Sequence, residues 1–478
     1  MVIMARLLAP ADFGLVALAA IFLQFGTYFA QLGVGQALMQ RLTLSDKEIR
    51  TAFTTSVLLG VLLATLFYLA APFAEMVVDA PEVVPVIQVL ALTLVITGMG
   101  VTAHSLLKRE LRFRGLAIVE VGSYVIGYVF VGITLAVLGF GVWSLVFAAL
   151  CQALLQTITV YAMTRHVSRP FLGWPEIKRL YGYGGKYSVT QFLNMTRNAL
   201  VHVAVGRVAG VAVLGLFDRA KMLVQLPFDK LETTINKVLF PAMSKVQEDT
   251  QALARIFLLQ KALVAGFVLP TLAGMAVSAD ILILVLLGPQ WADAARIVPL
   301  LAIAVGFLFL GHFARVVADV KALMNQRIAI ESAHLVMLAA GLFVGAQYGL
   351  GGLLVGIIAA EALAYLAYER LMRLHLLISW RELGKALGPG AVIATPLVGV
   401  GLAISNDALA DSGLPPFVVL LSQLLLGGTF LTVLWMSPLF HSIRTECFSL
   451  ALTAENTGGS QRLTGPANRL RRLLLGQR

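Results

Sequence analysis

The sequence predicts an all-α fold, a polytopic transmembrane helical bundle. Three observations carry that prediction: 59% of the 478 residues are hydrophobic, only 13% are charged, and the mean hydropathy is +0.87. Soluble domains carry about 25% charged residues. Apolar runs of about 20 residues, each able to cross roughly 30 Å of hydrocarbon, recur from end to end. Backbone polar groups in lipid must be satisfied within their own segment, so each run reads as a helix.

The predicted spans are about 13–37, 52–71, 84–106, 116–138, 142–163, 186–206, 211–232, 256–279, 296–318, 328–348, 351–373, 386–406 and 416–438. Residues 1–8 read as the last two turns of a further helix ending at Ala9–Pro10. The expectation is therefore about 13 full spans plus a truncated first span. No cleavable signal pattern is present, so the first span is its own insertion signal.

The formal net charge is +11. Lys and Arg sit mainly between the apolar spans, which fits topology and anionic lipid headgroups and argues against nucleic acid. Alternate loops differ sharply. The set at 40–50, 108–114, 165–186, 237–261, 321–327 and 370–385 holds twenty-two Lys and Arg. The opposite set, at 73–85, 139–141, 206–210, 288–296, 349–352 and 406–416, holds only Arg207 and Arg296. By the positive-inside rule the first set and the polar tail are cytoplasmic. The chain then divides into an N-terminal lobe (1–165), a cytoplasmic amphipathic connector (166–185, with an interfacial stretch at 174–183) and a second lobe (186–375). Two additional helices (386–438) and a basic cytoplasmic tail (439–478) follow. Two six-helix lobes plus two extra helices suggest a transporter built from repeats, with its substrate path between the lobes. In the tail, Arg469–Arg472 with Leu470 and 473–475 form a short basic amphipathic piece suited to anionic lipid.

Several chemistries are excluded. Cys151 and Cys447 give neither a disulfide framework nor metal spacing. No GxxxxGK[ST], HExxH, CxxC or GxSxG pattern occurs, so the sequence predicts no cofactor, no metal and no enzyme activity.

Three local patterns carry a family resemblance. The first is Ala5-Arg6-Leu7-Leu8-Ala9-Pro10-Ala11-Asp12-Phe13-Gly14, continued by Leu32-Gly33-Val34-Gly35-Gln36. The second is Leu214-Gly215-Leu216-Phe217-Asp218-Arg219-Ala220-Lys221, leading to Val238-Leu239-Phe240-Pro241-Ala242. The third is Leu287-Gly288-Pro289-Gln290-Trp291-Ala292-Asp293. Their order and spacing resemble the Wzx-like polysaccharide flippases of the multidrug/oligosaccharidyl-lipid/polysaccharide exporter superfamily, which follow a 14-span plan. This chain departs from that plan in lacking most of the first helix. The resemblance implies translocation of an undecaprenyl-pyrophosphate-linked oligosaccharide across the bacterial inner membrane by alternating access. It also implies membrane lipids as surroundings, and the polymerase and glycosyltransferases of the same pathway as partners. Three rival readings are a multidrug exporter of the same superfamily, a flippase for the peptidoglycan lipid precursor, and a membrane-embedded polysaccharide polymerase or ligase. The basic bias of the charges inside the spans argues against the first, and the short outer loops argue against the last.

Charged residues inside spans cost about 2.5–3.5 kcal/mol each on the insertion scale, so they point to a cavity or a partner. Gln191, Asn194, Asn198 and His202 lie on one helical face with Arg197 beside them, offering the donors a pyrophosphate and sugars need. Interhelical hydrogen bonding is the alternative. Asp218 and Lys221 are spaced to neutralise each other, which would leave Arg219 for a phosphate. Gln24, Tyr28 and Gln31, with Thr27, form an uncharged face suited to sugar hydroxyls or to helix packing. Glu361, His312 and Asp319 are candidates for ion coupling, with Arg315–Asp319 a further expected pair. Glu331 and His334 read as structural or interfacial, and Glu120 as wetted.

Overall fold

The computed structural model describes residues 2–31, 38, 44–164, 169–181, 185–403 and 415–423. Most of the predicted span 416–438, the tail 439–478 and the side chain of Gln31 lie outside the described residues. Among the described residues there is no strand. Eight stretches are long and apolar enough to cross a membrane: Pro10–Phe29, Asp46–Met76, Val83–Arg109, Phe113–Val137, Val142–Thr164, Thr250–Val277, Val298–Val320 and Met324–Leu376. By their contacts the helices form two compact units. One is Met1–Met222, Ile283–Ile297 and Met324–Ala360; the other is Leu223–Leu282, Val298–Leu323 and Glu361–Arg478.

In chain order the helices are α1 (Val2–Leu7), α2 (Pro10–Gln31), α3 (Asp46–Val78), α4 (Val83–Leu90) and α5 (Leu92–Arg109). A continuous rod follows: α6 (Phe113–Tyr124), a π-helical segment (Val125–Gly132) and α7 (Ile133–Val137). Then come α8 (Val142–Thr164), the short α9 (Trp174–Tyr181), α10 (Gly185–Ala209), α11 (Val211–Lys245) and α12 (Thr250–Val277). The chain continues through α13 (Ala279–Leu286), a 3-10 turn (Pro289–Arg296), α14 (Val298–Val320), α15 (Met324–Gly345), α16 (Gly349–Leu376) and α17 (Trp380–Ala403).

In the first unit, α3 starts inside the predicted loop because Ser45 and Glu48 form a reciprocal capping box. Its outward stripe, Leu58, Leu62, Leu66, Leu69, Phe73 and Met76, is exposed. Such an unbroken apolar face suits lipid and would be a liability in water. Without a hydrophobic drive between helices in lipid, close packing depends on small residues. α3 and α5 meet where Gly60 faces the Leu94 carbonyl and Gly98 the Ser56 carbonyl. α15 meets the start of α16 in the same way, as Gly341 and Gly345 lie against the backbone of Gly356 and Gly352. The connector is tied to α3: Arg50 donates to the carbonyls of Arg169 (2.9 Å) and Pro170 (3.3 Å) and lies over the Phe171 ring.

In the second unit, α12 packs on α17, with Gly390 of α17 against the Ala265 backbone. Phe228 of α11 meets Phe309 of α14 at 5.1 Å. One sequence assignment needs correcting here. Lys261, counted with the loop at 237–261, lies well inside α12 and is only 2% exposed. A single charge in an apolar run reads as a loop edge, whereas here a partner on another helix receives it.

A Cβ at position 345 would meet the Gly352 and Leu353 backbone, which cannot move aside as a side chain can. Gly345→Leu should lower stability by about 1–3 kcal/mol, read as a lower thermal midpoint of the detergent-solubilised protein. Gly351→Ala, with nothing within 4 Å of its new Cβ, should leave that midpoint unchanged.

Candidate functional site

Three segments distant in sequence meet at one corner of the first unit. The Trp291 indole N–H donates to the Ala5 carbonyl at 2.7 Å, and the Gln290 amide donates to the same oxygen at 2.9 Å. Arg6 reaches back to the Val285 carbonyl. The Trp291 ring stands edge-on to Phe13 at 5.3 Å, and the Arg219 guanidinium lies 4.8 Å from the centre of the Phe13 ring. Gly215 and Gly14 allow this, since each lacks a Cβ where α2 and α11 cross backbone to backbone. Apart from Val285, these residues belong to the segments 5–14, 214–221 and 287–293 of the three sequence patterns described above, and those segments form one packing corner.

A charged network extends from it. Asp218 accepts from Arg219 Nη2 at 2.5 Å and lies 3.3 Å from His202 Nε2. Lys221 donates to Asn198 Oδ1 at 3.2 Å. The expectation that Lys221 would neutralise Asp218 and leave Arg219 unengaged is corrected. Arg219 itself holds the carboxylate, which His202 draws towards α10. Arg219 nevertheless keeps one unused donor: its Nε–H is buried and has no hydrogen-bond partner among the described residues.

The second cluster centres on Arg197, which is 8% exposed. Its guanidinium bonds to Glu331 Oε2 and Asn194 Oδ1 and contacts Nδ1 of His334. Asn194 in turn donates to Gln191 at 3.5 Å. Glu331 and His334 are wholly buried, so of their two readings the interfacial one is set aside, and they stand as structural partners of Arg197. The polar stripe of α10 therefore splits. Asn194 and Arg197 address α15, while Asn198 and His202 address α11.

Of the α2 candidates, Tyr28 donates to the Ser188 carbonyl at 2.6 Å, and Gln24 is exposed. In the second unit His312 stands 3.4 Å from Glu232 of α11. Arg315 lies over the Tyr368 ring and donates to the Leu308 carbonyl at 3.3 Å. Asp319 and Glu361 are half-buried on α14 and α16. The pair that sequence reasoning missed is Lys261–Glu369, both almost fully buried, with the ammonium about 5 Å from the centres of the Phe257 and Tyr365 rings. Its only sequence signal is one lysine in an apolar helix and one glutamate four residues after Tyr365.

Two of the structures that share this fold are membrane transporters. A lipid II flippase, MurJ, in an inward closed conformation superposes with a TM-score of 0.68 at 11% identity, covering 91% of this chain and 95% of that one. An inward-facing multidrug transporter of the MATE family in the MOP superfamily gives 0.65 at 16% identity, covering 79% and 92%. Residues 3–296, more than half of the chain, match the family described as polysaccharide biosynthesis protein, and the chain belongs to that family.

Similar proteins include the succinoglycan biosynthesis transport protein ExoT of Rhizobium meliloti, 27% identical over 64% of this chain and 62% of the relative. The lipopolysaccharide biosynthesis protein WzxC of Escherichia coli is 24% identical over 64% and 63%. The teichuronic acid biosynthesis protein TuaB of Bacillus subtilis is 26% identical over 59% of each chain. The chain thus spans about three-fifths of the length of the curated relatives it matches. Together with the apolar helices, these likenesses make it a multi-pass membrane protein.

Removing one partner of a buried ion pair strands the other charge, at about 3–5 kcal/mol. Glu331→Ala should destabilise the protein by about that much in thermal unfolding. Arg197→Met combined with Glu331→Leu should cost well under the sum of the single changes, giving a coupling energy of kcal/mol size in a double-mutant cycle.

Proposed function

We propose that this protein is a flippase that moves undecaprenyl-pyrophosphate-linked oligosaccharide units from the inner to the outer leaflet of the bacterial cytoplasmic membrane. The observation that carries the reading is the concentration of cations and amides on the two successive long helices α10 and α11, which this reading places in the membrane: Arg197 with Asn194 and Gln191, and Arg219 with Lys221, Asn198 and His202. Each charge at mid-membrane costs about 2.5–3.5 kcal/mol. A protein that only anchors itself has no use for several of them. A pyrophosphate requires cations and N–H donors, and sugar hydroxyls require amides. Kinship with proteins named for succinoglycan transport and for lipopolysaccharide and teichuronic acid biosynthesis supports the same substrate class.

In this reading the bundle follows a fourteen-span plan with two six-helix lobes, 1–165 and 186–375, and two further helices at 386–438. The basic loops and the tail at 439–478 face the cytoplasm. Gln24, Tyr28 and Gln31 meet sugar hydroxyls, while His312, Asp319 and Glu361 couple transport to an ion. The glycosyltransferases that build the unit and the polymerase that consumes it act on either side of the step. No bond is made or broken.

The test is translocation of a fluorescent undecaprenyl-pyrophosphate oligosaccharide in proteoliposomes. A charge-assisted hydrogen bond is worth about 1.5–3 kcal/mol, so Arg219→Ala should slow transport by about tenfold or more. Normal transport by both Arg219→Ala and Arg197→Ala would sink the cationic mechanism.

A further inference from the structure

The network around Arg219 supplies charge and amides for a phosphate but no surface for a sugar ring. That surface lies on the neighbouring rod. Tyr124 and Tyr128 are stacked, with ring centres 5.1 Å apart and planes 26° from parallel. Their placement follows from the three faces of the rod. Leu116, Val119, Ser123 and Gly127 are buried, with Gly127 against the Ala148 carbonyl of α8. Ile118, Val121, Val125 and Val129 are exposed apolar residues suited to lipid. Between these faces runs a third stripe at four-residue spacing, Glu120, Tyr124 and Tyr128.

Glu120, with a side chain 57% exposed, stands 3.7 Å from His104. A stripe that carries a carboxylate and two phenols does not belong against hydrocarbon. It runs inward for about 12 Å, at 1.5 Å per residue over eight residues. Its inner end falls on a π-helical segment, a distortion that occurs often at functional sites.

The chain of contacts from Tyr128 to Arg219 can be traced. Gly132, four residues beyond Tyr128, abuts Met4, and the adjacent Ala5 is held by Trp291. Trp291 packs on Phe13, and Phe13 lies beneath Arg219. Arg219 brings the buried, unpartnered Nε–H noted above, a donor left over after Asp218 has been served. A buried donor without an acceptor calls for one, and a phosphate oxygen is an acceptor of the right charge.

We propose that Tyr124 and Tyr128 form a stacking platform for a pyranose of the substrate headgroup, with Arg219 Nε–H receiving the adjoining phosphate. This rests on the flippase reading and adds to it a carbohydrate subsite with named residues. A pyranose suits the platform because its ring carbons present a C–H face to the π electrons while its hydroxyls remain turned to water and amides. Galactose is a suitable probe, since its axial 4-hydroxyl gathers the C3, C4 and C5 hydrogens on one face.

The experiment measures equilibrium binding of two radiolabelled lipids, undecaprenyl pyrophosphate and undecaprenyl-pyrophosphate-galactose, to the full chain in nanodiscs. Wild type should bind the galactosyl lipid about three- to tenfold more tightly, the range expected of a well-formed aromatic contact. Tyr128→Ala should bind both lipids alike, at the wild-type affinity for the sugar-free one, which also reports that the variant is folded. Tyr128→Phe, which keeps the ring, should retain the preference, and Tyr124→Leu should reduce it. A preference that survives Tyr128→Ala overturns the platform. Equal binding of both lipids by wild type overturns the platform alone and leaves the flippase reading standing. Binding of neither lipid by wild type removes the flippase reading and the platform with it.

Discussion

A guanidinium buried among helices is tolerable because another helix brings a carboxylate to meet it, and much of the first unit is arranged around that requirement at Arg197. Glu331 and His334 lie on α15, far along the chain from α10, yet both are wholly buried against the same side chain. The pairing fixes the rotation of α10 about its axis. With Arg197 turned to α15, Asn198 and His202 must face α11, where Lys221 and Asp218 receive them. One desolvated charge thereby orients the whole polar stripe. The same logic holds in the second unit, where Lys261 and Glu369 pair between α12 and α16.

Charge pairing can set orientation only if backbones come close, and in hydrocarbon no water is released to drive them together. The closeness is supplied by missing side chains. Gly341 and Gly345 against Gly352 and Gly356 bring α15 onto α16, and Gly14 with Gly215 brings α2 onto α11. The second of these crossings carries Phe13 under Arg219. The outward faces then need no polarity, and α3 presents leucines, a phenylalanine and a methionine to its surroundings.

Local physics was legible in the sequence and long-range pairing was not. Apolar run length gives the helices α8, α14, α15 and α16 nearly as they stand, since a span is decided within its own twenty residues. Helix starts such as Ser45–Glu48 and Ser379–Glu382 are also local, written as a hydroxyl and a glutamate three residues apart. The periodicity of Gln191, Asn194, Asn198 and His202 identified a polar face but could not say that two helices share it. The role of Glu331 is not written in its own stretch of sequence, where nothing hints at a guanidinium 134 residues away. Lys261 reads as a loop residue in sequence because composition cannot reveal a partner on α16. The three family-like patterns were visible as words, while their meaning as a single corner depended on the Trp291–Ala5 and Arg219–Phe13 contacts.

The π-helical stretch at Val125–Gly132 has a consequence for how this rod could have arisen and how it could be edited. A wider turn accommodates a residue that a regular helix would not, so it behaves as an insertion absorbed without a loop. Deleting one residue within it would restore regular winding and leave the two ends near their present phase, whereas the same deletion in a regular helix would turn one end by about 100°. Glycines 127 and 132 would leave the notch against α8 while the ends of the rod stayed where lipid and loops hold them. The aim of the side chains within the segment is thus written in its length, and single-residue length variation there would re-aim them with no change in hydrophobicity.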